Sequence, residues 1–131
     1  MSNVPSNLSY TKTHEWVRLQ DDGTVTVGIT HHAQDLLGDV VFIDVPPVGR
    51  SFKAGEACVV IESVKAAADV YSPVAGEVIA TNGALSDSPE QVNKDPYDQG
   101  WLVRLRPADA AELSKLLDPA AYKAFIAADA H

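Results

Sequence analysis

Hydrophobic and polar positions alternate first at Trp16-Val17-Arg18-Leu19 and again over residues 24–29, with Asp21-Asp22-Gly23 between them. Alternation of period two on either side of a turn predicts a β-hairpin. Thr30 then stands where it can cap a short helix over residues 31–37, and Gly38 ends that helix by adopting the left-handed conformation. Residues 40–45 read as a strand stopped by Pro46-Pro47. Two further β-prone runs, 57–63 and 67–71, flank a short link that holds Lys65. The link lacks the Asn-Gly or Asp-Gly of tight primed turns, which leaves its turn type open. Residues 77–81 form another strand after Pro73 and Gly76, Asn82-Gly83 turns, 84–99 is mostly polar loop, and 101–105 is the last strand.

The two ends differ in kind. Residues 1–13 are polar with a proline at position 5, and 1–8 are expected to fray. Residues 107–131 read as a helical tail packed on the β body. Asp109 with Glu112 resembles a capping box, followed by an apolar stripe of Leu113, Leu116 and Leu117. Asp118-Pro119 begins a second helix, with proline where a missing N–H costs nothing, and Tyr122, Phe125 and Ile126 make its apolar face. A faint internal echo joins Pro46-Pro47-Val48-Gly49 to Ser72-Pro73-Val74-Ala75-Gly76, each followed by a β-prone run.

At 131 residues the chain reads as one domain, able to bury roughly two-thirds of its unfolded surface. A formal net charge of −8 argues against a nucleic-acid binder, whose affinity rests on clustered Lys and Arg. A lone cysteine, Cys58, forms no internal disulfide and sits in an apolar run, where a buried small hydrophobe is expected. No stretch approaches the apolar length of a membrane span, and the opening segment has no leader pattern, so cytoplasmic residence is expected. His14, His31, His32 and His131 show no metal-ligand spacing. Phosphate loops and nucleophile elbows are absent as well, and no catalytic centre is expected.

Lys65 carries the remaining chemistry. The run Glu62-Ser63-Val64-Lys65-Ala66-Ala67-x-Asp69-Val70-Tyr71-Ser72-Pro73 resembles the lipoyl-lysine hairpin of the glycine cleavage system H protein family. Thr13-His14-Glu15-Trp16 looks like the opening signature of that family. The stretch Gly28-Ile29-Thr30-x-x-Ala33-Gln34-x-x-Leu37-Gly38-Asp39 is similar to its second motif, with His31 where the family usually has aspartate. Pro73-x-x-Gly76-Glu77-Val78 and Asn93-x-Asp95-Pro96-Tyr97-x-x-Gly100-Trp101-Leu102 match its later segments. Biotinyl domains usually bracket their lysine with methionines, and lipoyl domains of 2-oxoacid dehydrogenases usually read Glu-Thr-Asp-Lys-Ala. Ser63-Val64 before Lys65 fits neither.

The resemblance implies a mainly β barrel-sandwich hybrid, lipoyl-domain-like, with one short helix in the N-terminal half and helices at the C-terminus. It implies a monomeric bacterial carrier, not an enzyme, with lipoic acid in amide linkage to Lys65. The arm would take an aminomethyl group from glycine decarboxylase to the aminomethyltransferase and be reoxidised by dihydrolipoyl dehydrogenase. A lipoate ligase or a lipoyl/octanoyl transferase would load it, reading Glu62 and Gly76. Thr13, Glu15 and Asp69 would form the cleft that shelters the loaded arm. A bare interaction module and a donor of lipoyl groups to other proteins are the competing expectations.

Overall fold

The computed structural model describes residues 4–129. The strands are β1 (Ser9–Tyr10), β2 (Glu15–Leu19), β3 (Val25–Ile29), β4 (Val40–Asp44), β5 (Ser51–Phe52), β6 (Ala57–Ser63), β7 (Ala67–Tyr71), β8 (Gly76–Thr81) and β9 (Val103–Pro107). Helices are α1 (His31–Leu37), α2 (Gln91–Lys94) and α3 (Pro119–Asp129), with 3₁₀ turns at Gly83–Ser86 and Ala110–Lys115. One sheet runs β1-β2-β3-β9-β8-β5 and the other β4-β6-β7. Every pairing is antiparallel.

Inward side chains of both sheets share one core. Val25, Val27 and Leu105 come from the larger sheet, and Ile43, Val59, Ile61 and Val70 from the smaller. Each such side chain contributes about 1.5–3 kcal/mol by leaving water. A second cluster joins Leu8, Tyr10 and Trp16 to Tyr122 and Ile126 of α3. The C-terminal helix is therefore packed against β1 and β2.

Several boundaries differ from the sequence reading, each for a local reason. Strands β1 and β5 have two residues each, too few for alternation to register. The 84–99 segment is not mostly loop. The Asn82 side chain accepts from the Ala84 N–H to cap a 3₁₀ turn, and α2 follows. The last strand begins at Val103, and just before it the Asn82 amide donates to the carbonyls of Gln99 and Trp101. In the tail, residues 110–115 are a 3₁₀ turn and the capping box is not closed. Asp109 accepts from the Ala111 N–H, while Glu112 leaves the turn to accept from Ala75 N–H at 2.9 Å.

The stretch expected to fray is described only from residue 4. Leu8 is buried and Tyr10 OH donates to the Pro5 carbonyl at 2.6 Å, while residues 1–3 lie outside the described residues. The runs that follow the two Pro-Gly echoes pair with each other, Ser51 opposite Glu77 and Phe52 opposite Gly76.

Candidate functional site

Strands β6 and β7 form the hairpin anticipated around Lys65, with Val60 opposite Asp69 and Glu62 opposite Ala67. Its tip is closed by Ser63. The Ser63 N–H donates to the Ala66 carbonyl at 2.8 Å, and the Ser63 hydroxyl accepts from Ala66 N–H at 3.1 Å. Neither Val64 nor Lys65 has a positive φ, so the turn is not a primed one. A serine hydroxyl thus does here what Asn-Gly does in tight hairpins. Val64 N–H donates to the Asp39 carbonyl at 3.0 Å, which pins the tip against the junction between α1 and β4.

That junction is held by a residue the sequence reading quoted but gave no role. Asn93 accepts from Val40 N–H at 2.9 Å and donates to the Gly38 carbonyl at 2.8 Å and to Gln34 at 3.0 Å. The signal for it was its place in the last motif. Lys65 itself is exposed, and its stem passes over Gly38, where φ is +76°. Exposed at the hairpin tip, its amine is within reach of an enzyme.

Behind the tip lies a cleft of about 180 Å³ between α1 and the hairpin. Leu36, Leu37, Ile61 and Val70 give it apolar walls, and Thr13, Glu15 and Asp69 supply polar groups. The structure therefore brings all three sequence-predicted cleft residues to one cavity. Glu15 is only 1% exposed. One oxygen accepts from the Thr11 hydroxyl at 2.6 Å and from the Thr13 hydroxyl, and the other from Tyr71 N–H at 3.3 Å. Burial pushes its carboxyl above the ordinary value and outweighs these three donors. Asp69, by contrast, is exposed on the rim.

His14, between Thr13 and Glu15, is the one non-glycine with positive φ among the described residues, at 70°. Its Nδ1 meets the Tyr122 hydroxyl at 2.8 Å and its ring packs on His32 at 4.7 Å. His131 lies outside the described residues. His31, the departure from the family pattern, donates its backbone N–H to Tyr97 OH at 2.9 Å, so the helix start is held without an acid.

Glu62 and Gly76 part company. Glu62 is exposed next to the tip, across from Phe42 of β4, where a bulge turns Val41 and Phe42 to solvent. Gly76, expected to be read together with Glu62, does not stand on the hairpin that carries Lys65. It is buried in the other sheet, paired with Phe52 and Pro107, and its Cβ position lies 2.6 Å from the Arg106 carbonyl oxygen. Close backbone approach requires glycine there, and its φ is not positive. Cys58 is buried, and burial pushes its thiol up to about 12, which leaves it inert.

The family model described as Glycine cleavage H-protein matches residues 8–129. The chain is 59% identical over 127 residues to the glycine cleavage system H protein of Alkalilimnicola ehrlichii, covering 97% of this chain and 98% of that one. It is 60% identical over 126 residues to the protein of the same name from Enterobacter sp. (strain 638), covering 96% and 98%. The crystal structure of a glycine cleavage system H protein from Mycobacterium marinum superposes with a TM-score of 0.85 at 37% identity, over 92% of this chain and 97% of that one. The two-sheet architecture is accordingly the barrel-sandwich fold of lipoyl carriers. With the hairpin, the cleft and these likenesses in agreement, the chain belongs to the glycine cleavage H-protein family.

Proposed function

We propose that this chain carries lipoate on Lys65 and shuttles the aminomethyl group of glycine cleavage between enzymes. As a member of its family it is a lipoyl carrier and a non-catalytic component of the glycine cleavage system. When bound, the lipoyl group supplies the dithiolane whose sulfur takes the one-carbon cargo. What the protein supplies is position. The observation that carries the assignment is a single exposed lysine on a braced hairpin tip, beside an apolar cleft that ends in a buried carboxylate.

The residues fit such an arm. Apolar walls suit its aliphatic length, and Glu15, Thr13 and Asp69 suit a cationic amine at its end through charge-assisted hydrogen bonds. Shelter matters because water releases formaldehyde and ammonia from an N–C–S unit. Bracing of the tip by Asp39 and Ser63 sheds search entropy while leaving the amine accessible. Exposed Glu62 is the acid a loading enzyme, a lipoate ligase or lipoyl transferase, reads beside the lysine. Glycine decarboxylase, the aminomethyltransferase and dihydrolipoyl dehydrogenase are the partners, the chain acting as a monomer in the bacterial cytoplasm.

Intact mass after expression with lipoate and a ligase tests this reading. The wild-type chain gains one lipoyl group and becomes one charge more negative than its formal −8. A Lys65→Arg chain that still gains the group refutes the assignment of the site. A wild-type chain that never gains it leaves only a bare interaction module.

A further inference from the structure

We propose that Tyr122, on the C-terminal helix α3, is a positioning residue of the arm cleft that acts through His14 on the Thr13–Glu15 pair. This rests on the reading of Thr13, Glu15 and Asp69 as the shelter of the loaded arm. The pair is made by the short loop between β1 and β2. His14 N–H donates to the Thr11 carbonyl at 3.2 Å, Thr11 N–H to the Glu15 carbonyl at 3.0 Å, and Glu15 N–H to the Thr11 hydroxyl at 3.1 Å. The loop closes because His14 adopts φ of 70°. A non-glycine residue in that region persists only when its surroundings over-determine it.

Those surroundings come from distant parts of the chain. The His14 carbonyl accepts from Thr30 N–H at 3.0 Å, and its ring lies against His32 of α1 and Phe125 of α3. The Tyr122 hydroxyl holds the imidazole at 2.8 Å and Thr30 Oγ1 at 2.7 Å. Thr30 Oγ1 in turn accepts from Ala33 N–H as the cap of α1, the helix that walls the cleft. One fully buried phenol oxygen therefore joins three elements around the cleft: the loop that carries Thr13 and Glu15, the start of α1, and α3. Burial pushes this phenol up to about 12, so the hydroxyl keeps its proton at working pH.

The test uses Tyr122→Phe, which keeps the ring stacked on Tyr10 at 4.6 Å and removes only the oxygen. Lipoylation at the hairpin tip reports that the chain is folded. In the loaded full-length carrier, freed of partner enzymes, formaldehyde release should quicken about three- to tenfold, the worth of one neutral hydrogen bond. A second readout needs no arm. In unlipoylated protein the Glu15 carboxyl, followed by carbon-13 NMR, should titrate at higher pH once Thr11 and Thr13 lose their alignment as donors. An Asp69→Asn background removes the other cleft carboxylate, and the nearby Cys58 thiol, with the Tyr122 phenol where it is kept, stays protonated throughout. His14 shares the cleft, so its imidazole is followed in the same titration.

His14→Gly deletes the same contact from the other side, and it serves equally if Tyr122→Phe does not fold. In the His14→Gly background, adding Tyr122→Phe should leave the Glu15 titration unchanged and quicken release less than it does in wild type, since residues acting as a unit are not additive and only the contact to Thr30 is left to lose. An undiminished Tyr122 effect there overturns the route through His14. Unchanged release and titration in Tyr122→Phe, with release still faster in Glu15→Gln, overturn this inference and leave the cleft standing. Unchanged release in Glu15→Gln as well overturns the cleft, and this inference with it.

Discussion

The stem of Lys65 lies over Gly38, its Cε 3.3 Å from where a Cβ would stand on that glycine. Two effects could make Gly38→Ala harmful, and their sizes separate them. A lysine stem is flexible and yields a few tenths of an ångström at little cost. Backbone angles of φ 76° and ψ −158° are another matter, being accessible essentially to glycine alone. Gly38→Ala should lose about 1–3 kcal/mol through the backbone. Chemical denaturation of Gly38→Ala in wild-type and Lys65→Ala backgrounds decides it. Equal losses show the backbone term, and a loss that vanishes with the lysine shows the contact.

Asn93 should matter nearly as much to the tip, although it touches neither the lysine nor the cleft. Asn93→Ala leaves Val40 N–H and the Gly38 carbonyl without their partner, a cost of about 1–3 kcal/mol. Slower lipoylation should accompany the lower melting temperature, because the Asp39 carbonyl that pins Val64 sits between the two released groups. Lipoylation at the wild-type rate would show that the tip is held without Asn93.

Gly76 should be intolerant for a steric reason. Its Cβ position lies 2.6 Å from a backbone carbonyl of β9, and no side-chain motion can relieve that. Gly76→Ala should already cost about 1–3 kcal/mol by overpacking, and Gly76→Val more. Whatever Gly76→Ala protein folds at lower temperature should be lipoylated at the wild-type rate, since the residue stands in the other sheet.

Glu62→Gln should show the opposite pattern. The side chain is exposed, and a surface charge of this kind is worth under about 1 kcal/mol to stability. Melting temperature should hold while lipoylation slows severalfold, as measured by the time course of intact mass. An unchanged time course would remove Glu62 from the loading enzyme's reading.

Glu15 links stability and shelter to pH with opposite signs. Its folded pKa lies above the ordinary 4.5, so the native state holds the proton more tightly than the unfolded chain. Its stabilising contribution is complete below the unfolded value and is lost as pH rises through the folded one. The melting temperature of wild type relative to Glu15→Gln should therefore decline as pH rises above 4.5 and through the raised folded value. Shelter of a cation needs the charged form. The advantage of wild type over Glu15→Gln in formaldehyde release should fade as pH drops through that raised pKa, earlier than for an exposed acid. A wild-type advantage that persists below pH 4.5 would exclude the Glu15 charge as its source.

Much was legible in the chain because the signals are local. Period-two alternation pointed to β2 and β3, β-prone runs to β4 and the β6–β7 hairpin, Thr30 and Gly38 bounded α1 at the residues where it begins and ends, and Asp118-Pro119 opened α3. The motif around Lys65 pointed to the family from the residues alone. Short elements escaped for lack of length: two-residue strands and 3₁₀ turns have no period to detect.

What only the tertiary structure decided concerns pairs far apart in sequence. No local pattern says that Glu15 will be almost wholly desolvated, that Asn93 will tie the end of α1 to β4, or that Tyr122 will reach back 108 positions to His14. Gly76 is the clearest case, since a glycine kept for a positive φ and one kept for a carbonyl 2.6 Å away read alike in a sequence. Propensity and period are properties of neighbours along the chain. Burial, and the pKa and packing limits that follow from it, are set by the partners that folding brings across the sheets.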